Sequence, residues 1–148
     1  MPSLKERIQE DVKDAMRARD RDRLAAIRLI TAAIKQREVD ERIELDDAQV
    51  TAVLDKMAKQ RRESIAQFEK AGRDDLIARE NAELDIIRGY LPEELTEDEL
   101  QSIVDEALEQ TGASTVRDMG KVMGLLNPRL QGRADMAAVS AMIKARLG

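Results

Sequence analysis

Apolar residues return every three or four positions along almost the whole chain, and β-branched residues nowhere alternate with polar ones. That pattern predicts helices throughout and no strands. Leu4, Ile8, Val12 and Met16 mark a first helix over residues 3–19, with Ser3 as N-cap and Glu6 placed to close a capping box. Leu24, Ile27, Ile30 and Ile34 mark a second, which runs out near Val39. Asp46 with Gln49 predicts the start of a third helix. It carries Val50, Val53, Leu54, Met57, Ile65 and Phe68 and reaches Ala71. At 1.5 Å per residue it spans roughly 35–40 Å. Gly72 suits its C-terminal cap. Asp74 and Asp75 then open a fourth helix bearing Ile77, Leu84 and Ile87, ending about Tyr90. Residues 46–90 therefore read as a helical hairpin with Ala71-Gly72-Arg73 at its tip.

Pro92 biases Leu91 away from helical geometry and marks a boundary. Just after it, Thr96 is an N-cap, Glu99 completes a capping box, and Leu95 can staple to Leu100. The fifth helix carries Ile103, Val104, Ala107 and Leu108 and stops at Gly112. Ser114 is expected to cap a sixth with Val116, Met119, Val122 and Met123 inward. Pro128 and Gly132 punctuate a loop, and Asp135 begins a seventh with Met136, Val139, Met142, Ile143 and Leu147 inward. The expected fold is all-α, in two helical domains. Residues 1–91 would form an N-terminal bundle with a long antiparallel hairpin, and residues 92–148 a three-helix domain.

Composition narrows the chemistry. Among 148 residues there is no His, Cys or Trp, and aromatics make up 1%. Without Cys there can be no disulfide framework or thiol nucleophile, and without His the usual general base and commonest metal ligand are missing. No Ser has a His partner, and no P-loop, EF-hand or dinucleotide fingerprint occurs. Asp46-Asp47 and Asp74-Asp75 sit at helix starts, where the macrodipole explains them. No catalytic residue, metal ligand or cofactor is therefore expected. No apolar run approaches the roughly 20 residues of a membrane span. The charged N-terminus lacks the apolar core of a secretory signal, so a cytoplasmic protein without membrane contact is the expectation.

Charge changes the picture more than its net value of -5 suggests. Residues 93–109 hold eight acidic groups and no basic one, whereas residues 110–148 hold six basic groups against two acidic. The basic segment fits either an anionic partner or an unevenly charged solvated surface. Lys56, Lys59, Arg61 and Arg62 fit either a contact stripe or pairing along their own helix with residues such as Asp55 and Glu63. Gly120 and Gly124, four apart around Lys121, fit either tight helix packing or the close approach of a phosphate backbone. With Phe68 and Tyr90 the only aromatics, base stacking is excluded, and any RNA contact would be to backbone and shape.

Gly120-Lys121-Val122-Met123-Gly124, followed by Gly132-Arg133-Ala134-Asp135, Val139 and Ile143, resembles the tail domain of the GatB subunit of aspartyl/glutamyl-tRNA amidotransferase. The whole chain resembles the free-standing YqeY family. The stretches that carry this likeness are Arg28-Leu29-Ile30, Ala33-Ile34-Lys35 and Glu38, then Lys59 to Ser64 with Phe68, and Tyr90-Leu91-Pro92. The resemblance implies a two-domain helical fold and, from the GatB tail, contact with the outer body of tRNA. That contact carries over to Lys121, Gly124, Arg133 and Lys144. Gly124 stands where GatB tails commonly carry Lys, which removes one positive charge. The family is described by inheritance as a carbon–nitrogen ligase with glutamine as amido-N-donor, yet this chain has none of the kinase-like or amidase machinery such a ligase needs. The resulting expectation is an accessory module that binds tRNA weakly and is non-catalytic alone. An aminoacyl-tRNA synthetase or an amidotransferase component would be its protein partner. Two alternatives stay open: a protein-interaction adaptor with no RNA role, and a subunit-like participant in amide transfer.

Overall fold

Helices begin where short polar side chains can take up the orphan N–H groups of a first turn. The computed structural model describes residues 2–147, and among these there are seven α-helices, one 3₁₀ turn and no strand. They fall into two units, one ending at Leu91 and the other starting at Pro92.

In the first unit, α1 (Leu4–Arg17) starts on Ser3, whose Oγ accepts from the Glu6 N–H. Helix α2 (Arg21–Glu41) follows a break in which Arg19 is left-handed at φ 55°. Helix α3 (Asp47–Ala71) starts on a complete Asp46–Gln49 capping box and ends at Gly72, where φ of 68° favours glycine. Helix α4 (Asp74–Arg88) returns along it. The core joins Ile8 and Ala15, Ile27, Ile30 and Ile34, Val50, Leu54 and Ala58, and Leu84 and Ile87. Each such Ile or Leu contributes about 1.5–3 kcal/mol by leaving water. Met16, expected to face inward, is 52% exposed, and Ala15 is buried in its place. A repeat of four residues advances about 40° past a full turn at each step. By Met16 the stripe has therefore rotated off the core.

The hairpin is unevenly supported. Every buried residue of α3 lies at or before Ala58, and those of α4 are Leu84 and Ile87. Beyond them, Arg61 Nη1 bridges Glu80 at 3.1 Å and Glu83 at 3.0 Å across the two helices. Arg61 thus belongs neither to an open stripe nor to pairing within its own helix. The outer half, from Arg62 to the tip, rests on half-buried side chains such as Ile65 and Phe68. Hydrogen exchange should therefore show amides of residues 62–80 opening well before those of residues 50–58. Equal protection along α3 would contradict this account.

Tyr90 closes the unit. Its hydroxyl donates to Asp11 at 2.6 Å, the Arg7 guanidinium lies 5.2 Å from its ring centre, and Arg7 also donates to the Gly89 carbonyl at 3.1 Å. Burial first, then the bond to Asp11 and its charge, push the phenol well above its ordinary value. A raised folded pKa adds stability that is full below the unfolded value of about 10 and is lost as pH rises beyond it. Tyr90→Phe should therefore cost about 1 kcal/mol near neutral pH. The wild-type advantage should shrink above pH 10 in paired urea titrations. A pH-independent difference between the two proteins would speak against a buried, carboxylate-bound phenol.

In the second unit, α5 (Glu97–Thr111) starts on the Thr96–Glu99 capping box and ends at Gly112 with φ 64°. Ser114 does not cap the next helix. Its N–H and that of Thr115 instead donate to Asp118 Oδ2 at 3.0 and 3.2 Å, folding residues 116–118 into the 3₁₀ turn. Helix α6 (Met119–Leu130) then runs through Pro128, where a loop was expected. Proline only two residues before the helix end sacrifices one backbone bond without breaking the turn that Leu126 and Leu130 anchor. Helix α7 (Met136–Leu147) completes a core of Val104, Ala107, Val122, Leu126, Leu130, Val139 and Ile143, all fully buried. Gly132, at φ 79°, makes the turn between α6 and α7.

Candidate nucleic-acid interface

One face of α6 is buried through Val122, Leu126 and Leu130. Its periodicity puts Lys121, Gly124 and Pro128 on the opposite side, and Arg117 precedes them in the 3₁₀ turn. All four are exposed. A Cβ built on Gly120 or Gly124 would meet nothing within 4 Å. Neither glycine therefore serves helix packing within the chain. Pro128 has no N–H to give the Gly124 carbonyl four residues before it, and its ring sits on that side of the helix.

The cations of the C-terminal unit differ in availability. Among the described residues, Arg129 pairs with Glu106 at 3.7 Å and Arg146 pairs with Asp105. Helix α5 thereby neutralises two of the six basic groups of the segment. Arg133 is half-buried. Its Nε donates to the Glu93 carbonyl at 3.4 Å and its own carbonyl accepts from the Leu95 N–H at 3.0 Å, so it ties the α6–α7 turn to the entry of α5. Lys144 is exposed in the last turn of α7. Arg117, Lys121 and Lys144 make no ion pair among the described residues. Lys121 stands close enough to Asp118 to help hold that carboxyl below its usual range, after the larger effects of the Ser114 and Thr115 N–H groups. From Lys121 to the end of α6 is roughly 14 Å of helix, so Lys121 and Arg133 address separate positions on any ligand. Arg117 was passed over by the sequence reading. Its spacing of four from Lys121 and seven from Gly124 is the signal that would have found it.

The described residues contain no group of three or more acidic side chains able to hold a metal ion, and no helix long and apolar enough to cross a membrane. Fold and site together define a helical protein whose one open glycine face is flanked by cations. The chain belongs to the YqeY family: the family model described as "Yqey-like protein" matches residues 5–147. Among curated relatives it is similar to "Altered inheritance of mitochondria protein 41, mitochondrial" of Pyrenophora tritici-repentis, at 34% identity over 96% of this chain and 80% of that protein. The proteins of the same name from Eremothecium gossypii and Lachancea thermotolerans are 40% and 38% identical over 57% of this chain. Those matches span 46% of each of these two proteins, so about half of each lies outside the likeness.

These names correct the expectation of a cytoplasmic protein, since they point to mitochondria instead. The expectation rested on a charged N-terminus and the lack of a secretory core. Those features fit any aqueous compartment and cannot single out the cytoplasm.

Proposed function

We propose that this chain is an accessory module that binds tRNA through the open face of α6 and performs no chemistry by itself. The observation that supports this reading is the exposed Gly120–Gly124 line, where an added Cβ would meet nothing within 4 Å, flanked by Arg117 and Lys121, which make no ion pair among the described residues. A glycine face lets a sugar–phosphate strand lie against the helix backbone, and the two cations neutralise phosphates on either side. Lys144 adds a further phosphate contact, while Arg133 shapes the turn and contributes less. With about three contacts the affinity is weak and salt-dependent. Such a module would work beside an aminoacyl-tRNA synthetase or an amidotransferase component.

Binding of folded tRNA across a salt titration tests the proposal. Arg117→Ala with Lys121→Ala should flatten the log–log slope by about 1.4–1.8, at about 0.7–0.9 per phosphate. Gly124→Leu, which fills the space where the strand would lie without changing charge, should weaken binding at every salt concentration. Its Cβ meets no atom within 4 Å and the change improves helix propensity, so the fold should tolerate it. Identical slopes for wild type and the double variant, with Gly124→Leu binding as tightly as wild type, would remove RNA from this face. The adaptor reading draws support from the Arg129–Glu106 and Arg146–Asp105 pairs, which weaken the basic field, and it would then stand ahead.

A further inference from the structure

The apolar pattern of α2 accounts for one face and leaves another over. Ala26, Ile27, Ile30 and Ile34 are buried in the core of the first unit. A second line, Ala25, Leu29, Ala32, Gln36 and Val39, recurs at alternating spacings of four and three on the side away from that core. Leu29 is 50% and Val39 60% exposed, and the other three are exposed as well. Alternating four-and-three spacing is the seam of a coiled coil. Here it lies on a helix that already packs elsewhere. Along one edge of the seam Arg21, Arg28 and Lys35 repeat every seven residues, all exposed and without an ion pair among the described residues. The opposite edge runs into the core through the buried Ala26 and the half-buried Ala33, and its one exposed member, Asp40, already accepts from Gln36 at 2.9 Å.

Between Arg28 and Glu38, folding accounts for only some of the side chains. Ile30 and Ile34 are buried. Glu38 accepts from Lys5 at 2.6 Å and from the Leu45 N–H at 3.0 Å, which hold its carboxyl below the usual range. Arg28, Leu29 and Lys35 face solvent and do nothing for the core.

We propose that this face of α2 docks an amphipathic helix of a partner protein, one with an apolar seam and acidic residues along the edge that meets Arg21, Arg28 and Lys35. Charge decides against a second copy of the chain. In an antiparallel pair the basic edge would lie along its own twin. In a parallel pair it would meet Ala26, Ala33 and Asp40, an edge with one carboxylate. A lipid surface would need bulky apolar groups across the face. Two alanines in the seam instead permit close approach of another helix. Phosphates could meet the basic edge, but Leu29 and Val39 offer a nucleic acid nothing.

The test uses the full chain and two synthetic four-heptad helical peptides with the same Leu/Ala seam, one with Glu edges and one with Lys edges. In fluorescence anisotropy at low salt, the Glu peptide should bind at least tenfold tighter than the Lys peptide, and that advantage should shrink as salt screens the edge. Leu29→Glu should weaken binding at least tenfold. Arg28→Glu with Lys35→Glu should invert the preference toward the Lys peptide. Circular dichroism checks helix content, and the charge reversal still decides if Leu29→Glu folds poorly. Equal or absent binding of the two peptides overturns the proposal, as does a preference that the reversal leaves unchanged. Loss of tRNA binding in the reversal variant, with no peptide bound, would make the face a nucleic-acid surface instead. Wild-type self-association in sedimentation, abolished by Leu29→Glu, would assign it to a second copy.

Discussion

Leu126→Ala is expected to cost the C-terminal unit about 2–5 kcal/mol. That core consists of seven fully buried side chains, none aromatic, and Leu126 is among the largest. At roughly 0.05–0.15 kcal/mol per residue, so small a unit holds only about 3–8 kcal/mol in all. The variant should therefore lose most of its C-terminal stability and lower that transition by about 10 °C or more. The N-terminal core shares no buried residue with it, so the first transition should stay within about 0.5 kcal/mol of wild type. Differential scanning calorimetry with near-UV or NMR probes in each unit reads both. If the two transitions fell together, residues 1–91 and 92–148 would not be independent folding units.

Arg61→Ala should destabilise the hairpin by about 2 kcal/mol, because it strands Glu80 and leaves Glu83 only its longer contact with Arg79 at 3.8 Å. Arg61 is 26% exposed and the two glutamates 15% and 16%, so solvent screening is incomplete. The bridge also makes a less obvious prediction. Both short contacts come from Nη1, and Nε is buried without a partner. The planar guanidinium fork is therefore unused, and a point charge can serve as well. Arg61→Lys should cost about 1 kcal/mol or less, since it keeps the bridging charge and deletes the unpartnered donor. Urea melts of both variants, with hydrogen exchange on α3 and α4, measure this. A lysine variant as unstable as the alanine variant would mean that the fork matters after all.

Helix starts were legible because capping is local. Ser3, Asp46 and Thr96 each meet an N–H three residues ahead, and that distance is set by the helix itself. Legibility failed one step further out. Ser114 and Asp118 can each serve the other's neighbourhood, and only the path of the chain into α6 selected the aspartate as acceptor. At the candidate interface, Lys121 and Gly124 were found from their types and spacing. Arg133 looked like a free cation because its acceptor, the Glu93 carbonyl, lies 40 residues away.

The sequence by itself determined the all-helical class, the long hairpin and the absence of His and Cys chemistry, since periodicity, caps and composition act over a few residues. Only the tertiary structure decided which charges remain available. Arg61 is used up by Glu80 and Glu83 of the facing helix, and Arg129 and Arg146 by acids of α5. It also decided that Gly120 and Gly124 face open space while Leu29 and Val39 stand outside the core. Spacing fixes which residues share a face of one helix, but whether another helix covers that face depends on how the apolar stripes of all of them pack.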